Sequence, residues 1–268
     1  MTKKGLALAG LALFATLAHA EDYLSPTDER VRLSLGVLRV SNQTNMLLDS
    51  SAGVPGTPVN GENDFGLDKT DFEVKLQAMV RVGERHRLRF DYFSLDRSGS
   101  AVSTQTYVFR DSVLLPGDPL DTTLSLRSLG ISYEYSFLHS DRYELAGTFG
   151  VSSTDISTRV RVTTEARHIN QSDDVAGPFP SFGIDGTYVV SKRFYFDGRA
   201  QYMRANVNDL QASLEIYEVD GLYRLRPNIS FALGYAATRL HLASFQTGNS
   251  GYFNLNSSGP ELFVRVSF

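Results

Sequence analysis

The chain has 268 residues, no cysteine, no tryptophan and a formal net charge of −4, from 26 basic and 30 acidic side chains. Without cysteine there can be no disulfide, no thiolate metal site and no lipid anchor on sulfur, and an acidic chain without basic clusters argues against nucleic acid as a partner. Beyond the N-terminus no apolar stretch approaches the roughly 20 residues of a membrane helix. A helical membrane protein is excluded; a β-barrel, which shows lipid only alternate residues, is not.

Lys3 and Lys4 precede an uncharged apolar run from Gly5 to Leu17, and Ala18-His19-Ala20 supplies small residues at a cleavage site. This pattern predicts a secretory signal peptide over 1–20, cut between Ala20 and Glu21. Residues 21–268 then form one domain with 24 basic and 30 acidic side chains once Lys3 and Lys4 are removed.

Alternation of apolar and polar residues follows almost at once. Val31 to Ser41 alternates through Leu33, Leu35 and Val37 and loses phase near Arg39. A polar connection at about 42–69 comes next. From Asp71 to Val82 the even positions are all apolar (Phe72, Val74, Leu76, Ala78, Val80, Val82), and all the odd ones except Met79 are polar. After Gly83-Glu84-Arg85, Leu88, Phe90 and Tyr92 oppose Arg87, Arg89 and Asp91. The connection at 99–122 contains Tyr107 to Leu115, which would raise the strand count from ten to twelve if it crossed the membrane. Arg110 and Asp111 in its middle place it above the membrane instead.

Leu129, Ile131, Tyr133, Tyr135 and Phe137 alternate with small or polar residues up to the turn His139-Ser140-Asp141-Arg142, and Tyr143 to Ser152 answers them. Ile184 to Val190 and Phe194 to Tyr202 flank Ser191-Lys192-Arg193. Asp209 to Tyr223 spaces Leu210, Leu214 and Tyr217 like a helix but is assigned as a strand, because a lone helix would interrupt the hairpins. Ile229, Phe231, Leu233 and Tyr235 follow Leu225-Arg226-Pro227-Asn228. The final strand puts Leu262, Val264, Val266 and Phe268 on one face and Phe263, Arg265 and Ser267 on the other. Its ending is similar to the C-terminal signal by which outer-membrane barrels are recognised for insertion.

Four short turns and five longer polar connections join ten strands. The expectation is a single up-and-down transmembrane β-barrel, all-β, with short periplasmic turns and longer extracellular loops. A soluble β-sandwich could alternate in the same way. It would not band aromatics beside the short turns, as Tyr135, Phe137, Tyr143, Tyr188, Phe194, Phe196, Tyr223 and Phe268 do.

Three stretches resemble a group of uncharacterised outer-membrane β-barrel proteins of Gram-negative bacteria: Asp64-Phe65-Gly66-Leu67-Asp68; Glu84 to Tyr92 running on to Asp96-Arg97-Ser98-Gly99; and Ser258 to Phe268. The resemblance implies an outer-membrane barrel and no activity.

The inward faces collect Glu73, Lys75, Arg87, Arg89, Asp91, Glu134, Glu144, Asp185, Asp197, Arg199, Glu261 and Arg265. Mixed signs predict ion pairs that fill a narrow lumen, since a buried single charge is costly. The expected function is structural or surface-interacting, with a narrow pore for small solutes as the alternative. A hydrolase (protease or lipid A deacylase) comes third. His86 and His139 lie at periplasmic turns, His168 lies near Asp173 and Asp174 in an outer loop, and His241 is at the outer end of the ninth strand. No His pair has metal-ligand spacing, so neither metal nor cofactor is expected. The expected partners are outer-membrane lipid and lipopolysaccharide, with periplasmic chaperones and the barrel-insertion machinery during biogenesis. The identity of any small solute or surface ligand stays open.

Overall fold

The computed structural model describes residues 24–50, 54–109, 111–163, 168–207, 209–246 and 249–268. The predicted signal peptide and its cleavage site at Ala20 and Glu21 lie outside the described residues.

Among the described residues ten antiparallel strands close into a barrel: β1 (Val31–Leu48), β2 (Thr70–Arg81), β3 (His86–Val102), β4 (Pro119–His139), β5 (Tyr143–Thr163), β6 (His168–Val189), β7 (Phe194–Val207), β8 (Leu210–Arg226), β9 (Ile229–Gln246) and β10 (Asn249–Ser267), and the two-residue strand Val59–Asn60 adds to the outer end of β1. Each of the ten pairs with its chain neighbours, and β1 pairs with β10 from Arg32↔Ser267 to Leu48↔Gly251. The seam is completed at the chain end, where the Phe268 carbonyl accepts from the amides of Arg30 and Val31. Closure leaves no strand edge unpaired in hydrocarbon, where each orphaned backbone group costs several kcal/mol.

The strands are longer than their apolar stretches. The connections expected at 163–179, 206–213 and 243–252 are strand over most of their length, because β5, β6, β8, β9 and β10 run on past the apolar belt. Apart from bulges near the periplasmic ends, at Ser136/Leu138 on β4 and Arg224/Arg226 on β8, geometric alternation is kept; the polarity of the two faces exchanges. On β4 the outward residues Leu129, Ile131, Tyr133, Tyr135 and Phe137 are exposed, and the inward ones are Ser128, Gly130, Ser132, Glu134 and Ser136. Beyond Ser128 the outward residues become Arg127, Ser125, Thr123 and Asp121, and the inward ones Leu126, Leu124, Thr122 and Leu120. The nine residues Leu129–Phe137 match the 9–11 a tilted strand needs to cross a bilayer.

The same exchange explains the two irregular strands of the sequence. On β1 the phase is kept through Arg39, but Leu38 and Val40 now point inward and Arg39 outward. On β8 Leu214 and Ile216 face inward while Tyr217 and Val219 face outward, so a face exchange produces the odd spacing that imitates a helix. The segment around Tyr107 is not in the barrel wall. Tyr107–Phe109 and Ser112–Leu114 form a separate two-stranded sheet, and the barrel has ten strands, not twelve.

Candidate functional site

The lumen is the place where this chain concentrates its chemistry, and it is filled in three layers. At the periplasmic mouth the segment Leu24–Arg30 crosses the opening. Arg224 donates to the Leu24 carbonyl (2.5 Å) and to Glu29 (2.5 Å), Arg32 Nε donates to Glu29 (2.8 Å), and Arg81 donates to the Thr27 carbonyl (2.6 Å). Tyr195, Leu222, Ala232 and Phe263 form a small buried apolar cluster, with the Arg224 guanidinium 5.6 Å from the Tyr195 ring centre.

The middle layer is ionic, because alternation inside an apolar belt sends every polar residue inward. Arg87 bridges Glu134 (2.9 Å) and Glu144 (2.8 Å), and Arg81 also reaches Glu144 (2.9 Å). Arg89 touches Asp185 (2.7 Å), Glu134 (3.1 Å) and Asp91 (3.4 Å). Arg199 grips Asp91 with both terminal nitrogens, at 2.7 and 3.0 Å. Lys75 lies between Glu218 (2.8 Å) and Glu261 (2.9 Å), and Arg265 holds Asp197. Of the twelve residues read from the sequence, eleven join ion pairs in this layer. Glu73 is buried there without an ion pair among the described residues.

Sequence reasoning missed Glu29, Arg32, Arg81, Glu218, Asp220 and Arg224. Glu218 and Asp220 were hidden by the helix-like spacing of β8; Glu29 lies before the first strand, where no alternation exists to read. Among the described residues the middle and periplasmic layers hold ten carboxylates (Glu29, Glu73, Asp91, Glu134, Glu144, Asp185, Asp197, Glu218, Asp220, Glu261) and eight cations (Arg32, Lys75, Arg81, Arg87, Arg89, Arg199, Arg224, Arg265). With every group ionised the sum is −2.

The outer layer is mainly apolar, with Asn42, Thr44, Thr122, Thr158 and the Arg97–Glu62 pair buried among its hydrophobic residues. Leu38, Leu95, Leu124, Leu126, Ile156, Leu214 and Leu240 belong to one buried cluster inside the barrel. Above it, Met46, Val59, Phe65, Tyr107, Leu114, Leu120, Val160 and Val162 form a second, so both long connections fold into the mouth. Phe65 meets Tyr107 edge-on with ring centres 5.7 Å apart.

The first loop is clamped by Arg97, whose guanidinium donates to Glu62 (2.7 Å), the Asp68 carbonyl (2.5 Å) and Thr44 Oγ1 (2.7 Å). Glu62 in turn accepts from the Thr44 amide at 2.8 Å. Gly66 turns the chain with φ +69°, and a Cβ on Gly99 would lie 1.8 Å from the Gly66 carbonyl oxygen. Two of the recognised stretches, Asp64–Asp68 and Asp96–Gly99, are therefore the two halves of one clamp, joined by the bridge Leu67↔Gly99.

The histidines are scattered. His86 contacts the Tyr133 hydroxyl at 2.5 Å on the outer wall, and His139 lies at the periplasmic mouth, 3.3 Å from Asp28 and 3.4 Å from Glu144. His241 faces outward and pairs with Asn254. His168, Asp173 and Asp174 are in the backbone of β6, and their side chains lie outside the described residues.

No protein-family model matches the chain, and no curated protein does. Solved structures do. The outer membrane protease OmpT from Escherichia coli is similar over 93% of this chain and 100% of its own, with a TM-score of 0.60 and 14% identity. The translocator domain of the autotransporter NalP from Neisseria meningitidis is similar over 91% of this chain and 90% of its own, with a TM-score of 0.50 and 10% identity. The fold is that of the outer-membrane β-barrels of Gram-negative bacteria.

Proposed function

We propose that the protein is a non-enzymatic outer-membrane barrel with a closed lumen, whose role is structural or one of surface interaction carried by its outer wall and loops. The observation that carries this reading is the three-layered filling: ionic side chains in the membrane, a packed apolar core above them, and a chain segment across the periplasmic mouth. Hydrated ions have no favourable path through a mainly apolar plug. Lipid and lipopolysaccharide are its natural partners: Arg39, Lys69 and Arg127 are exposed just above the apolar belt, at the level of outer-leaflet phosphates. The narrow pore is the second reading, favoured by a cavity of about 20 Å³ within the ionic layer.

Purified, refolded protein in a planar bilayer tests the choice. A folded barrel that leaves the bilayer silent is expected. Sustained discrete openings that change in Arg89→Ala would replace the closed lumen with the pore.

A further inference from the structure

We propose that Glu218, Asp220 and Glu261 form a binding site for one hard divalent cation, of the calcium or magnesium class, in the wall of the lumen. The register builds the site. Asp220 on β8 and Glu261 on β10 both pair with Gly234 on β9 between them. Three adjacent strands thus present acid, glycine, acid at one level, and the two carboxyl groups meet over the glycine. A Cβ on Gly234 would lie 1.9 Å from Asp220 Oδ1. Glu218, two residues before Asp220 on the same inward face, adds a third carboxylate.

All three side chains are buried, at 7%, 5% and 2% exposure in chain order. One ligand-capable oxygen from each lies within 4.8 Å of the others, a spacing that a single ion with bonds of about 2.3–2.6 Å can span. Among the described residues, no group other than each other's carboxyl lies ready to hydrogen-bond the buried Asp220 Oδ1 and Glu261 Oε1. Lys75 does not meet this need: its ammonium is taken by the other oxygen of Glu261 and by Glu218, and Asp220 has no ion pair among the described residues. Buried carboxylate oxygens left single are costly. The excess of two negative charges over the middle and periplasmic layers together equals one divalent ion. Donors that are oxygen only, with no His or Cys, select a hard cation over zinc. The adjoining cavity of about 20 Å³, bordered by Glu218, Asp220 and Gln77, has room for one water ligand.

The test uses the refolded full-length barrel, stripped with chelator and titrated calorimetrically with CaCl2 or MgCl2. One saturable ion per barrel is expected, with affinity reduced at least about tenfold in Asp220→Asn. Gly234→Ala removes no ligand but pushes Asp220 aside and crowds the Val219 carbonyl at 2.6 Å, so a similar loss is expected there; Glu215→Gln on the outer wall should bind as the parent does. Folding of each variant is checked by heat-modifiable gel mobility. Absence of saturable binding by the folded parent, or binding unchanged in both site variants, overturns the proposal. Should both variants fail to fold, Mn2+ electron paramagnetic resonance on the parent decides: a bound-ion spectrum displaced by Ca2+ supports the site, and a free-ion spectrum alone overturns it. An infrared carbonyl band of a protonated acid that Ca2+ does not remove also overturns it, because a shared proton then holds the two carboxyl groups.

Discussion

The lower and outer halves of this barrel use one backbone and opposite rules. In the lower half the outside is apolar and the inside ionic; in the outer half the outside is polar and the inside is a packed apolar core. β4 passes through both regimes without a break, turning over between Arg127 and Leu129. The solvent around the wall decides which face must be apolar, and the strand geometry only supplies two faces. A core residue in the outer half therefore has the energetics of a soluble protein, and an outward residue in the lower half has those of a lipid contact.

Four experiments test that contrast. Leu124→Ala, inward in the outer half and 1% exposed, should cost about 2–5 kcal/mol. Leu129→Ala, outward in the belt, should cost much less, because lipid fills the space. Urea unfolding in lipid, followed by circular dichroism because the chain lacks tryptophan, compares the two. Equal costs would mean that the outer interior is not a packed core.

Ile131→Arg should destabilise by about 2–4 kcal/mol if it lies near mid-membrane. Thr123→Arg, on the same face of the same strand but above the belt, should stay within about 0.5 kcal/mol. A reversed ranking would mean that the belt is misplaced.

Arg97→Ala breaks the clamp on the first loop, and about 1.5–3 kcal/mol is expected for charged hydrogen bonds of this kind. The loss should be local, read as protease cleavage between residues 54 and 69 while the barrel still resists heat. Global unfolding instead would make the loop part of the core.

The smallest effect is expected at Asp49, which accepts from the Gly56 amide (2.7 Å) and from Ser250. These bonds, the Gly56 amide first, hold its carboxyl below the usual carboxylate range. The loop contact is thus complete above the ordinary Asp pKa and lost as pH falls through the depressed value. Faster hydrogen exchange at Gly56 below that point, with the belt unchanged, is the expected readout.

The contrast also marks what was legible in the sequence. Asp71 to Val82 and Leu129 to Phe137 could be read directly, because within the belt lipid enforces a clean alternation. The ten-strand count and the inward charges followed from it. Much of the outer half reads as loop because its alternation runs in the opposite sense, and Leu120, Leu124 and Leu126 look like scattered apolar residues unless the exchange of faces is known. The Arg97 clamp joins residues 35 positions apart through Glu62, and Gly234 matters only once Asp220 and Glu261 flank it. Neither pairing leaves a periodic trace.

The continuation of the wall past the belt also sets the reach of the molecule. From Arg127 to Pro119 is eight residue steps, about 26 Å along a strand and roughly 20 Å in height once a tilt of about 40° is allowed for. The loop tips are therefore carried on a stiff collar well above the headgroups. A large molecule approaching the cell would meet them before it met the lipid surface.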